Sequence, residues 1–222
     1  MIIFNKKILQ HIPKTSGTAI KAMMVKNADK LEYVTNHKPL SFLYENSSLD
    51  KYKEYPVYAI LRNPYKWHES WYNFTIKLKR NCPIITVIKK YTNSMYEYVE
   101  AQLDLTKFFH KHPKALDDMV EHILYNSYSH FSYFLYDLKE LSAEYFKNKS
   151  IYEYYLDLQI DDNVSLFRYE YDLMAVYKEF DLDTNDIIYK NVTHHDEIFN
   201  SKILKLIEKE EQKIFRLYDT IK

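Results

Sequence analysis

The sequence predicts an α/β protein: a central, mostly parallel sheet flanked by helices, with a helical insertion, in a single domain over residues 1–222. Three observations predict it. Apolar runs of strand length occur at 6–12, 55–61 and 163–170. Each gives way to apolar residues spaced along one helix face, the alternation from which parallel sheets are built. Between 84 and 160 the pattern is helical only, and this stretch is the expected insertion.

The first run, "KKILQHI" (6–12), is stopped by Pro13. From Thr18 onward, Ile20, Met23, Met24 and Ala28 share one helix face, so Gly17 opens a helix. "EYVT" (32–35) is a weaker strand. "YPVYAIL" (55–61) ends at Asn63-Pro64, and Pro64 suits a first helical position, where a missing N–H costs nothing. In the insertion, Leu116, Met119, Val120, Ile123 and Leu124 form a core-facing stripe. "NVSLFRYE" (163–170) is the next strand, with a helix to Phe180, and "DIIYK" (186–190) is a short strand candidate. A final helix over 200–221 carries Ile203, Ile207, Ile214, Leu217 and Ile221 on one side.

Composition excludes several function classes. Lys plus Arg and Asp plus Glu both number 31, and this zero formal charge argues against broad nucleic-acid or anionic-membrane binding. Any anion site must be local. The one cysteine, Cys82, rules out an intrachain disulfide and a Cys-rich zinc site. His194 and His195 are adjacent and lack zinc-ligand spacing, so no metal is expected. No signal-peptide pattern or membrane-length apolar run is found, and the expectation is a cytoplasmic protein with no membrane partner. The 23 tyrosines are spread along the chain, which reads as compositional bias and not as a stacking surface.

Gly17 is the only glycine, where average usage gives roughly 15 in a chain of this length. It sits in "PKTSGT", between a strand and a helix, the place where parallel α/β sheets bind ligands. Glycine tolerates positive φ and lets another group approach the backbone. Lys14, Thr15, Ser16 and Thr18 add an ammonium and three hydroxyls beside the unpartnered N–H groups of a helix start, which makes an anion cradle. Thr-Ser-Gly-Thr is also a sound turn and helix cap, so the loop alone leaves both readings open. A Walker A loop is excluded by order: Lys14 precedes the glycine, and the first glycine of that motif is missing. The second strand ends in Arg62, a cation and not a magnesium-holding acid. On its own segment, Arg62 is read most simply as a surface arginine before an amphipathic helix.

Taken together, "HIPKTSGT" and "AILRNPYKWHESWY" resemble the sulfotransferase superfamily, in the branch of carbohydrate O-sulfotransferases. The resemblance implies a P-loop-like sulfotransferase fold and 3′-phosphoadenosine-5′-phosphosulfate (PAPS) as sulfuryl donor, without metal. It places Lys14, Thr15, Ser16, Gly17 and Thr18 in the loop for the 5′-phosphosulfate, and Arg62 and Ser70 on the 3′-phosphate. "LFRYEYDL" (166–173) looks like the family's later strand with its Tyr-Glu pair, and "KNVTHHDE" (190–197) is similar to the loop before its terminal helix. Three positions depart from the pattern: Ser16 stands for a usual Gly, Ala19 for Ser or Thr, and Trp67 for a repeated Arg. The first two are expected to weaken donor affinity.

The branch commonly has a His-x-Pro segment between the two motifs, and "TNHKPL" (35–40) is similar. By that resemblance His37 is the general base, with Lys14 neutralising the leaving phosphate. An imidazole titrating near about 6.5 suits proton removal at neutral pH. His130, Glu69 and Glu170 are the fallback bases, and His11 belongs to the motif as a structural residue. The expected partner is a hydroxyl-bearing acceptor, a glycan or small molecule. The alternatives are a kinase or NTPase of related fold, and a non-catalytic nucleotide-binding protein.

Overall fold

A computed structural model describes residues 1–35, 38–77, 83–126, 142–184 and 198–221. The chain forms two compact units: Met1–Asn63, Tyr155–His194 and Arg216–Lys222 in the first, Pro64–Tyr154 and His195–Phe215 in the second.

The first unit is built on a five-stranded sheet of order β3-β1-β2-β4-β5. Its strands are β1 (Ile2–Phe4), β2 (Lys7–Gln10), β3 (Leu31–Val34), β4 (Val57–Leu61) and β5 (Val164–Arg168). β2, β4 and β5 are parallel neighbours, as the alternating pattern predicts. The sheet as a whole is mixed and not mostly parallel, because β1 pairs antiparallel with both β2 and β3. The cause is a two-residue hairpin, with Phe4 opposite Lys7 and the turn residues Asn5 and Lys6 at φ 49° and 58°. Positive φ at both central residues matches the right-handed twist of the flanking strands. Asparagine adopts it readily, while lysine rarely does.

One sheet face is covered by α1 (Gly17–Lys26) and α9 (Leu173–Glu179). Ile2, Phe4, Leu9 and Ile60 meet Ile20, Met23, Met24, Val176 and Tyr177 in a buried cluster. Burial of each such side chain contributes about 1.5–3 kcal/mol. A short helix, α2 (Ser41–Glu45), precedes β4.

The second unit is helical. It holds α3 (Pro64–Tyr72), α4 (Pro83–Tyr91), α5 (Met95–Leu103), α6 (Leu105–Lys111) and α7 (Pro113–Asn126), and receives the start of α8 (Ile151–Gln159). Proline opens α3, α4 and α7. In α7 the buried side centres on Ala115 and Met119, with Leu116 and Val120 half-buried. The expected final helix is two helices, α10 (Ser201–Glu210) and α11 (Gln212–Thr220), broken at Glu211. α10 packs on α3 and α5. Glu211 is buried, and its carboxylate lies 2.6 Å from Nε2 of His68, itself fully buried. The strand candidate at 186–190 lies outside the described residues.

Candidate functional site

The three parallel strands end at one edge of the sheet. β2 leads into His11–Ser16 and α1, β4 into Arg62 and Asn63, and β5 into Tyr169 and Glu170. The Tyr169 N–H donates to the Leu61 carbonyl at 2.7 Å, which continues the β4–β5 ladder past the strand end.

The loop after β2 is held by its own chain. The Thr15 hydroxyl donates to the Ile12 carbonyl at 2.8 Å, and Thr15 is buried. Its side chain thus closes the loop instead of offering a donor outward, contrary to the expected trio of hydroxyls. Lys14 and Ser16 both lie in the left-handed region, at φ 68° and 64°. Turns of this kind gather successive backbone N–H groups into an anion-binding concavity. Ser16 is the N-cap of α1 and makes no side-chain cap bond, while its carbonyl accepts from Ala19 and Ile20. The N–H groups of Gly17 and Thr18 have no acceptor within the helix, because the first turn has no residues behind it. Thr18 is exposed, and Ser16 is half-buried.

Gly17 is explained differently from the sequence expectation. Its φ is not positive, and no incoming ligand is needed to account for the missing side chain. A Cβ there would fall 1.9 Å from Cδ2 and 2.2 Å from Nε2 of His11. The group that approaches the backbone is the His11 imidazole, itself buried. The residue that occupies the strained conformation is Ser16, where the resembled family carries glycine.

Arg62 joins the strand ends. It is 8% exposed, and its Nη1 donates to the Lys14 carbonyl at 3.1 Å. The guanidinium carbon lies 4.7 Å from the Tyr169 ring centroid, and Nε is 3.7 Å from Glu170 Oε1. Burial, and then the Arg62 charge, lower the Lys14 pKa from 10.5 to about 8. Two cations therefore share one sheet edge beside a helix N-terminus, an arrangement that favours an anion.

The other predicted residues fall elsewhere. Ser70 is on α3, in the second unit, with its side chain buried. Trp67, the departure from a usual Arg, is fully buried and stacks on Tyr152 at 4.3 Å and 4°. Glu69 accepts from the Ile198 N–H at 3.2 Å and faces Lys66 Nζ at 3.3 Å, a structural pattern for a fallback base. His37, His130, His194 and His195 lie outside the described residues, as does the loop at 190–197. Sequence reasoning missed Asn63 and Tyr218 as partners of Glu170. The Asn63 N–H reaches both Glu170 oxygens at 3.2 Å, and the Tyr218 hydroxyl donates to Oε2 at 2.7 Å. The Tyr-Glu pair was a signal for the first contact; nothing in the sequence marks Tyr218.

No family model, curated protein or solved structure matches this chain. Among the described residues, no helix is long and apolar enough to cross a membrane.

Proposed function

We propose that this protein is a sulfotransferase of P-loop-like fold, with PAPS as donor and a hydroxyl on a carbohydrate or small molecule as acceptor. The observation that carries the reading is the pairing of Lys14 with Arg62 at the ends of parallel strands, close enough for one charge to depress the other's pKa. Like charges gathered at a strand-end edge suit a ligand phosphorylated at more than one place. The donor set fits such a ligand: an ammonium, a guanidinium, and backbone N–H groups at the start of α1.

PAPS, when bound, supplies the sulfuryl group that passes to the acceptor oxygen. Lys14 and the first-turn N–H groups hold the 5′-phosphate and neutralise the charge it gains. Arg62, a planar fork, takes the 3′-phosphate. His37 receives the proton of the acceptor hydroxyl. A kinase reading needs a strand-end carboxylate for magnesium; the carboxylate after β5, Glu170, instead accepts from Asn63 and Tyr218 and faces Arg62.

Melting curves test the proposal. Adenosine 3′,5′-bisphosphate at 100 times its Kd should add about 2.7 kcal/mol of stability, with EDTA present. A shift produced only by ATP with magnesium sinks the sulfotransferase reading and favours the kinase. On the same protein, His37→Ala should keep that shift and slow single-turnover sulfuryl transfer by about 10²–10⁴. A rate within a few-fold of wild type removes His37 from the reaction.

A further inference from the structure

The Glu170 carboxylate gathers three contacts beyond the end of β5. It takes the Asn63 N–H on both oxygens, the Tyr218 hydroxyl on Oε2, and the Nε edge of Arg62 on Oε1 at 3.7 Å. Tyr218 comes from α11, 48 residues along the chain, and is 5% exposed. Burial, and then the hydrogen bond to Glu170, push the Tyr218 pKa up, so the hydroxyl stays a donor at working pH. Arg62 is therefore bounded by Glu170 at its Nε edge, by the Tyr169 ring against its plane, and by the Lys14 carbonyl at Nη1.

An arginine side chain is long and loses much rotamer freedom when it binds. Fixing the plane of the fork beforehand removes that cost from the binding step. A carboxylate near an anion site also has an opposite effect, because its charge weakens the attraction for every phosphate. The geometry points to the first role: we infer that Glu170, held by Tyr218, is a positioning residue that aims Arg62 and so sets the preference for a 3′-phosphorylated nucleotide. The inference rests on the sulfotransferase reading.

Calorimetry with adenosine 3′,5′-bisphosphate and with AMP separates the two roles by sign. Loss of positioning lowers the preference for the bisphosphate, whereas relief of the carboxylate's repulsion raises it, because the bisphosphate carries the extra phosphate. Glu170→Gln keeps size and an acceptor oxygen. It should cut the preference for the bisphosphate about tenfold, the scale of one charged hydrogen bond, with AMP affinity unchanged or higher. Tyr218→Phe should cut it about threefold, and decides the matter alone if Glu170→Gln does not fold. In an Arg62→Ala background, Glu170→Gln should change the ratio no further, since its effect runs through the arginine. A wild-type or raised ratio in Glu170→Gln, an equal loss for both nucleotides, or a further fall beside Arg62→Ala overturns the inference. A wild-type protein without preference for the bisphosphate sinks the sulfotransferase reading, and this inference with it.

Discussion

The two units handle charge in opposite ways. In the second, His68 and Glu211 face each other one to one at 2.6 Å, at 0% and 1% exposure. In the first, the strand-end edge brings Lys14 and Arg62 together, with Glu170 as the carboxylate facing Arg62. The interior pair sets one carboxylate against one imidazole. The edge gathers two cations, two left-handed residues in its loop, and a lysine whose proton is destabilised by burial and then by its neighbour. A one-to-one buried pair belongs to stability, whereas like charges held together against repulsion suit binding.

Breaking the interior pair should have the largest effect. Glu211→Ala leaves the His68 imidazole without its buried partner, and should lower stability by about 3–5 kcal/mol in urea unfolding. The double replacement His68→Phe with Glu211→Met removes both polar groups, and should recover most of that loss. If Glu211→Ala costs less than about 1 kcal/mol, the scale of an exposed pair, the contrast between interior and edge fails.

At the edge the expected effect is smaller and depends on pH. Lys14 has a folded pKa of about 8, below its ordinary 10.5, so between those values the unfolded chain holds the extra proton. Its contribution therefore disfavours folding at neutral pH, and that penalty is relieved as pH rises from about 8 toward 10.5. Nucleotide binding responds with the opposite sign, because a phosphate prefers the charged lysine. Affinity for adenosine 3′,5′-bisphosphate should be level from pH 7 to 8 and then fall, by at most about tenfold per pH unit for one linked proton. Lys14→Met should flatten the profile. A wild-type profile that stays level through pH 9.5 would show that Lys14 does not meet the anion.

How far the sequence revealed these two regions depends on the range of the interactions. β2, β4, β5 and α1 announce themselves through local periodicity, and Pro64 marks the start of α3. The β1–β2 hairpin escaped because its turn uses Asn5 and Lys6, with no glycine to flag positive φ. The break at Glu211 escaped because the apolar stripe of the last two helices runs on past it, while the partner of the buried Glu211, His68, lies far back in the sequence. Lys14 and Arg62 were legible as strand-end cations. The Tyr-Glu pair marked Tyr169 and Glu170 but not the stacking of Arg62 on the Tyr169 ring, and Tyr218, which holds Glu170, leaves no local trace.

The smallest effects test the loop itself, at two adjacent positions with opposite signs. Gly17 owes its identity to room: any Cβ meets the His11 ring at 1.9 Å. Gly17→Ala must push that ring aside and should cost about 1–3 kcal/mol, as overpacking does. Ser16 is the reverse case, a side chain where the backbone asks for glycine, at φ 64° and ψ 3°. A left-handed conformation costs a non-glycine residue about 1–2 kcal/mol, and glycine loses part of that gain to its freer unfolded chain. Ser16→Gly should therefore raise stability by a net amount of about 0.5–1 kcal/mol. Lys6→Gly supplies the control, since it relieves the same kind of backbone at φ 58° in the β1–β2 turn. Both substitutions should raise the melting temperature, but only Ser16→Gly should also change affinity for adenosine 3′,5′-bisphosphate. A loss of stability in Ser16→Gly would mean that the serine side chain makes up for its strain. A matching affinity change in Lys6→Gly would mean that the loop's geometry is not what the nucleotide reads.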